Sequence, residues 1–573
     1  MQTARRLYVY LMTGIGLGVL IWGVTLLLTT LFEALGLEAE AISPGEQLAR
    51  ERLTLATALT AVALPVWLIH WWLAERSVRP ERPDFDLERS STVRGLFFAV
   101  VLGVLLVIGF NAASRIVDSL LLGVLGQSLT YRSPLAPPLA LLLTAGTAWG
   151  YHVFVRLRDM ARGPIADDAA WLPRLYLYLA ALGSLLVLAF ALTGLADLLR
   201  RLVFEQEQAG FGEADWWAFP LASSISGIAV GGIGWAAHWG FANRLRNDPG
   251  WRGVAERASR LRLAYFVAVL VIASAAVVVY LAGAATPLIQ AALGVWESQN
   301  GAPAGHALVG VVNAAVFAAV WWLHLGWLHA ENRAIERMPL AWRLAAYPMA
   351  LVGLAFGAVS IGWLLGLTLD VLLGGGRTLS AGSVWERELA GFLPFALLGF
   401  ALWIWQWARI SARYASTPRL EAASAVRRTA LLLVIGVTIV AGIISLGLIL
   451  YRLFGTLFGV QLGGDIASEL STPLGALIVA LAVIAYHVIA LRRDQQWRET
   501  AGAAAAPPPL SGGVALALLG PSGVRTADVE AVLARLRAQL PEGYRLETGV
   551  PSTPTPLADP PGEAPGALGP ADR

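Results

Sequence analysis

Histidine is the residue type in this sequence best suited to chemistry, and five of the seven histidines follow one pattern. The clearest copy is Trp235-Ala-Ala-His238, with Arg244 six positions after the histidine. Related copies, at intervals of 81 to 86 residues, end at His70, His152, His324, Gln406 and, as Tyr486-His487, at His487. Such a fixed period predicts an array built from one supersecondary unit.

A neutral imidazole at this place in each unit could ligate haem or a metal, relay protons or bind a lipid phosphate. The candidate anion or lipid-headgroup contacts are His70, His152, His238, His324, His487, Arg76, Arg158, Arg244 and Arg493. The alternative is an interfacial anchor, in which Trp, His and Arg turn their polar atoms to the headgroups. Gln406 argues against a ring of equal metal sites, because an amide is a poor ligand for soft metals.

Residue usage removes several kinds of catalysis. The 573 residues include no cysteine and no lysine, so thiolate nucleophiles, Cys metal sites, Schiff bases and the phosphate-loop lysine are absent. His-Glu-x-x-His and Gly-x-Ser-x-Gly motifs are absent as well. We therefore expect no enzymatic activity, no catalytic residue, no metal ion and no cofactor.

The composition is that of a membrane protein. Hydrophobic residues make up 57% of the chain and charged residues only 14%, with a mean hydropathy of +0.63. The net charge of +3 comes from arginines spread over short loops rather than gathered on one face. The predicted partner is thus the lipid bilayer, with no nucleic acid.

Long apolar runs occur in pairs, and each pair is followed by an arginine-rich connection. We predict an all-α polytopic fold of about twelve transmembrane helices in six parallel two-helix repeats. The repeats span residues 1–82, 91–162, 171–246, 257–337, 341–413 and 424–498. Because the arginines favour the connections between repeats, we expect those connections and both termini in the cytoplasm.

The composition changes after Arg498. Residues 499–512 form a predicted Ala/Pro linker, 513–549 a small cytoplasmic βαβ-like domain and 550–573 a disordered tail. The domain prediction rests on short apolar runs at 514–519 and 544–548 around a helical pattern at 527–540. This domain could dock a cytoplasmic protein.

Two functions follow most directly from these features. The first is a non-enzymatic membrane scaffold or sensory component, because mid-span ionisable residues and catalytic motifs are lacking. The alternative is a transporter or lipid-handling protein with a site among the repeated helices. Haem-dependent electron transfer through the histidines is a third hypothesis.

The repeat also carries a resemblance. Arg6-Leu-Tyr8-Val-Tyr10 opens a first helix and Trp-x-x-His-Trp closes a second one, and Arg174-Leu-Tyr176-Leu-Tyr178 repeats the opening. With these motifs, residues 5 to 498 resemble bacterial membrane proteins that carry the domain of unknown function 5671 in several copies. The resemblance implies a multi-pass inner-membrane protein without an assigned activity. Repeat two departs from the motif, because Arg94-Gly-Leu-Phe-Phe98 lacks the tyrosines.

Overall fold

The structure is a computed structural model that describes residues 2–37, 46–127, 134–163, 171–204, 216–297, 301–333, 338–373, 384–459, 466–505 and 533–534. Residues 1–498 form one compact unit and residues 499–573 another. All regular structure in the described residues is helical. The βαβ-like domain predicted over 513–549 and the tail over 550–573 lie outside the described residues, apart from 533–534.

Twelve helices in the described residues are long and apolar enough to cross a membrane, which confirms the predicted number. The first helices of the six hairpins are α1 (Gln2–Ala34), α4 (Thr92–Val124), α6 (Leu172–Phe204), α9 (Arg260–Ala292), α11 (Met338–Leu373) and α14 (Ala425–Leu457). The second helices are α2 (Glu46–Ser77), α5 (Ala136–Ala161), α7 (Ala218–Arg246), α10 (Pro303–Arg333), α12 (Val384–Ser416) and α15 (Ile466–Ala505). Helix α15 continues through Ala505, so the described part of the predicted linker is helical, as an alanine-rich segment favours.

Among the described residues, three short helices lie between long ones: α3 (Phe85–Arg89), α8 (Trp251–Arg257) and α13 (Pro418–Ala422). Each precedes the first helix of an even-numbered hairpin. The six hairpins therefore group in pairs, and the chain consists of three five-helix units: α1 to α5, α6 to α10 and α11 to α15. The sequence period corresponds to one hairpin, so it does not indicate the repeat of two hairpins.

Neighbouring hairpins pack side by side in chain order. The first helix of each of the first five hairpins contacts the second helix of the next hairpin, and consecutive first helices contact one another. The central spans are the most buried, whereas α2 and α14 have the smallest buried share. This gradient fits an array with two lipid-facing ends, as in other repeat proteins whose units contact only their neighbours.

Glycine allows the closest helix contacts. A Cβ added at Gly399 in α12 would overlap the backbone nitrogen of Gly357 in α11, and one at Gly231 in α7 would lie 2.5 Å from the nitrogen of Leu188 in α6. Gly227 and Gly231 thus let the backbones of α6 and α7 approach closely.

Candidate functional site

Each five-helix unit buries one arginine at the start of its second hairpin. In the first unit this is Arg94, the third residue of α4, which is 0% exposed. Its guanidinium donates to Asp159 Oδ2 at 2.6 and 2.9 Å, to Glu75 Oε1 at 2.8 Å and to the Tyr10 hydroxyl at 2.9 Å. The cluster satisfies the buried charge and joins α1, α2, α4 and α5.

The second unit repeats this arrangement around Arg262, the third residue of α9. Arg262 donates to the Glu331 carboxylate at 2.6 and 2.8 Å, to Asn243 Oδ1 at 2.7 Å and to the Tyr178 hydroxyl at 3.2 Å. An acid of the same hairpin and a tyrosine of the preceding hairpin are again the partners.

In the third unit the buried residue is Arg427, the third residue of α14. It donates to Asp494 Oδ2 at 2.7 Å and to the Tyr347 hydroxyl at 3.3 Å. A serine in extended backbone conformation precedes each of the three helices, at Ser91, Ser259 and Ser424. The repeated Ser-x-x-Arg is the sequence signal for these clusters, and none of its arginines was among the predicted site residues.

Arginines at the start of the odd-numbered first helices hold the short helices. The pairs are Arg6 with Glu88 at 3.0 Å, Arg174 with Glu256 at 2.8 Å and Arg343 with Glu421 at 2.9 Å. All three glutamates are buried and each lies in one short helix. These ion pairs therefore fix the short helices of the connections against the long helices.

The repeated histidines point into the helix array. His152, His238, His324 and His487 are buried, and His70 is half-buried. In all five, Nδ1 lies 2.7 to 2.8 Å from the carbonyl oxygen four residues earlier, so Nδ1–H is the donor. These rings contact neighbouring helices, whereas the anchor interpretation expected them to face the headgroups.

Tyrosine hydroxyls approach the other ring nitrogen in three hairpins. The distances from Nε2 to the tyrosine hydroxyl are 3.1 Å for His238 and Tyr176, 3.2 Å for His324 and Tyr265, and 3.4 Å for His70 and Tyr8. Nε2 of His152 has no hydrogen-bond partner among the described residues. The first helix of that hairpin lacks the tyrosines at its start, as α14 also does.

The arginines predicted to accompany the histidines lie elsewhere. Arg76, Arg244 and Arg493 are exposed, and Arg76 stacks on Trp72 at 5.0 Å. Arg158 is half-buried and donates to Glu75 Oε2 at 2.5 Å. The structure therefore does not gather the predicted histidines and arginines into one site.

A cavity of about 940 Å³ lies between the second and third hairpins, where the first five-helix unit meets the second. Helices α4, α5, α6, α7, α8 and the start of α9 line it. Its walls are largely apolar and include Trp149, Trp171 and Trp251, and His238 and Tyr176 line one side. Of the histidines predicted as a site, His238 is the one in this wall.

Arg156 is a charged residue of the wall that the repeated motifs did not indicate. It is 5% exposed, and its Nη1 and Nη2 have no hydrogen-bond partner in the part of the chain that the structure describes. Its guanidinium lies over the Phe98 ring, 5.6 Å from the centroid. Its position, four residues after His152, holds Leu328 and Leu491 in the other even-numbered hairpins, and this difference was the available signal.

Within the described ranges, no group of three His, Asp or Glu side chains is placed to hold a metal ion. The twelve apolar helices and their hairpin packing indicate a multi-pass α-helical membrane protein with internal repeats.

The chain belongs to the family of the domain of unknown function DUF5671, whose sequence pattern matches residues 6–147, 174–316 and 343–482. This confirms the resemblance seen in the repeated motifs. Each of the three matches begins in the first helix of a five-helix unit and ends in its last long helix. No curated protein and no solved structure matches the chain.

Proposed function

We propose that this protein is a non-enzymatic, lipid-handling membrane protein that takes an amphiphile from the bilayer into the cavity between its second and third hairpins. The cavity carries the proposal: its volume of about 940 Å³ falls within the roughly 300 to 1,000 Å³ of ligand sites, and its walls are largely apolar with a few polar groups. Its arginines and tryptophans are residue types of the headgroup level of a bilayer.

The other junction between five-helix units is more tightly filled, which supports a role for this one. Between the second and third five-helix units, Leu328 packs with Trp239, Ala341 and Met349 in one buried cluster. The array can thus be packed closely at such a junction, so the open junction is a specific feature.

Native mass spectrometry of the full-length protein, released from neutral detergent after purification from membranes, tests the proposal. We expect wild type to retain one amphiphile and Ala99→Trp, which places an indole in the cavity wall, to lose it. Ala319→Trp is the matched control, because Ala319 is exposed on α10 away from the cavity. Equal occupancy in all three proteins, or an empty wild type, would contradict the proposal.

We also propose that the protein lies in a bacterial inner membrane with both termini and the connections between hairpins in the cytoplasm. The arginine bias supports this orientation. Since the chain has no cysteine, single cysteines report the topology directly. Leu37 lies in the connection within a hairpin, so an impermeant maleimide should label Leu37→Cys in intact spheroplasts. Arg79 lies between hairpins, so the same reagent should label Arg79→Cys only after the spheroplasts are lysed. The opposite labelling would invert the topology.

The scaffold or sensory role stays a prediction. It needs a cytoplasmic partner that binds the arginine-rich connections between hairpins or the C-terminal segment 499–573. Most of that segment lies outside the described residues. Co-purification with the full chain and with a chain ending at Arg498 would test it. A partner that depends on residues 499–573 would favour the scaffold, and no partner with either chain would count against it.

A further inference from the structure

The guanidinium of Arg156 has no hydrogen-bonded acid among the described residues. The residue is 5% exposed, and Nη1 and Nη2 of its guanidinium have no hydrogen-bond partner among the described residues. The Phe98 ring offers only a cation–π contact. Buried charges in proteins are normally paired and hydrogen-bonded, so an unpaired arginine in a cavity wall points to an anion that is bound there.

The nearby carboxylates are already engaged by other residues. Asp159 accepts from Arg94 at 2.6 Å and from Arg158 at 3.4 Å. Glu256, in the cavity wall, accepts from Arg174 at 2.8 Å and from the Tyr178 hydroxyl. Neither has a hydrogen bond to Arg156, so the guanidinium is available to a ligand.

The fold does not need an arginine at this position. Leu328 occupies the equivalent place in the second five-helix unit, where it is fully buried and contributes to the packed cluster that closes that junction. Leu491 occupies it in the third unit. An arginine in one copy alone, beside the cavity, indicates a role in binding rather than in packing.

Further positive charge surrounds the same cavity. Arg252, in α8, lines it and donates to the Met160 carbonyl oxygen at 3.2 Å, and Arg260 lines it at the start of α9. Among the described residues that line the cavity, Glu256 is the acid and it is paired, so the charge of these residues favours a negative ligand. Apolar side chains from α4, α5 and α7 also line the cavity.

We propose that the cavity binds an amphiphile whose phosphate group is held by Arg156 and whose chains lie against the apolar wall. This inference rests on the proposed lipid-handling function and adds the chemical class of the ligand. A guanidinium presents two parallel N–H donors to a phosphate, an arrangement that a point charge or a neutral donor does not reproduce.

A matched pair of lipids separates the headgroup from the chains. Dioctanoyl phosphatidic acid and dioctanoylglycerol share their acyl chains and differ by the phosphate, and inorganic phosphate has no chain. Binding of each to the full-length protein in neutral detergent can be followed by native mass spectrometry. We expect wild type to bind the phosphatidic acid at least about tenfold more tightly than the diacylglycerol, since charge-assisted hydrogen bonds are worth this or more. Inorganic phosphate should show no binding.

Arg156→Leu is the decisive variant. It should bind the phosphatidic acid about tenfold or more weakly and the diacylglycerol as wild type does. Arg156→Lys, which keeps the charge but not the paired donors, should be intermediate. Arg244→Leu is the control, because Arg244 lies on α7 and does not line the cavity. The leucine variant should fold, because two of the three units carry leucine there; a thermal midpoint at or above that of wild type would verify this.

Each other outcome overturns the inference in a different way. Equal binding of both lipids, unchanged by Arg156→Leu, would leave the proposed function standing and refute phosphate recognition. Arg156-dependent binding of inorganic phosphate would show that the ligand is a soluble anion. Binding of neither lipid, together with equal occupancy in Ala99→Trp and wild type, would refute both proposals.

Discussion

Nη2 of Arg94 lies 2.6 Å from Oδ2 of Asp159, and both side chains are 0% exposed. The two residues come from the two helices of one hairpin, α4 and α5. Equivalent acid–arginine pairs occur at Glu331 with Arg262 and at Asp494 with Arg427. Each even-numbered hairpin therefore contains an ion pair that a tyrosine of the preceding hairpin also contacts.

Arg94→Ala should destabilise the protein strongly, because it leaves Asp159 buried without its main partner. Loss of one member of a buried pair typically costs about 3 to 5 kcal/mol. The midpoint of thermal unfolding in detergent, followed by tryptophan fluorescence, measures the effect. Arg94→Met combined with Asp159→Leu should recover much of the loss, since an apolar pair removes the uncompensated charge.

The control for this prediction is Arg5→Ala. Arg5 is 62% exposed and contacts Glu88 at 3.5 Å, so its loss should change stability by less than about 1 kcal/mol. Equal shifts in the two alanine variants would show that the buried cluster has no special role.

Gly399→Ala should lower the unfolding midpoint, because the added Cβ would overlap the backbone nitrogen of Gly357 and push α11 and α12 apart. Gly391→Ala is a matched change in the same helix, since a Cβ there meets no atom within 4 Å. It should leave stability unchanged or raise it by about 1 kcal/mol or less through helix propensity. A similar loss in both variants would argue against close packing at Gly399.

Tyr265→Phe should destabilise the second unit by about 1 to 3 kcal/mol, because a ring nitrogen of buried His324 and the indole nitrogen of half-buried Trp235 lose their partner. The Tyr265 hydroxyl accepts from Trp235 Nε1 at 3.2 Å and lies 3.2 Å from His324 Nε2. Thermal unfolding measures the change. Tyr451→Phe, at a position 59% exposed, should have no effect, and parity between the two variants would contradict the prediction.

Glu256→Ala should release α8 from α6, because it removes the acceptor of both Arg174 and the Tyr178 hydroxyl. Hydrogen–deuterium exchange should accelerate in peptides covering Trp251–Arg257 while the long helices stay protected. Glu297→Ala serves for comparison, since its pair with Arg387 is about half exposed on both sides. Unchanged exchange in α8 would mean that other contacts hold it.

Much of this architecture could be predicted from the sequence, because an apolar run long enough to span a bilayer has one main structural outcome. The six hairpins follow from the spacing of His70 to His487. The grouping in three units depends on which arginine contacts which acid, as with Arg94 and Asp159. Such contacts between residues far apart in sequence require the packed structure.

The site was harder to predict than the fold. Repetition drew attention to the histidines, whose Nδ1 atoms are satisfied by their own helices. Arg156 differs from the leucine found at the equivalent position of the other even-numbered hairpins. One arginine among 42 basic residues does not by itself indicate a binding site. The cavity beside it depends on side chains from several helices, which periodicity alone does not locate.

The length of the first helices has a consequence for the membranes that can hold this protein. At 1.5 Å per residue, the 33 residues of α4 extend about 50 Å, against roughly 30 Å of hydrocarbon. Arg94, Arg262 and Arg427 are each the third residue of their helix. The ion-pair clusters therefore lie at the start of these helices, in the part that extends beyond the hydrocarbon. A bilayer can therefore thicken by several ångströms without drawing those charges into hydrocarbon, which makes the fold compatible with membranes of differing thickness.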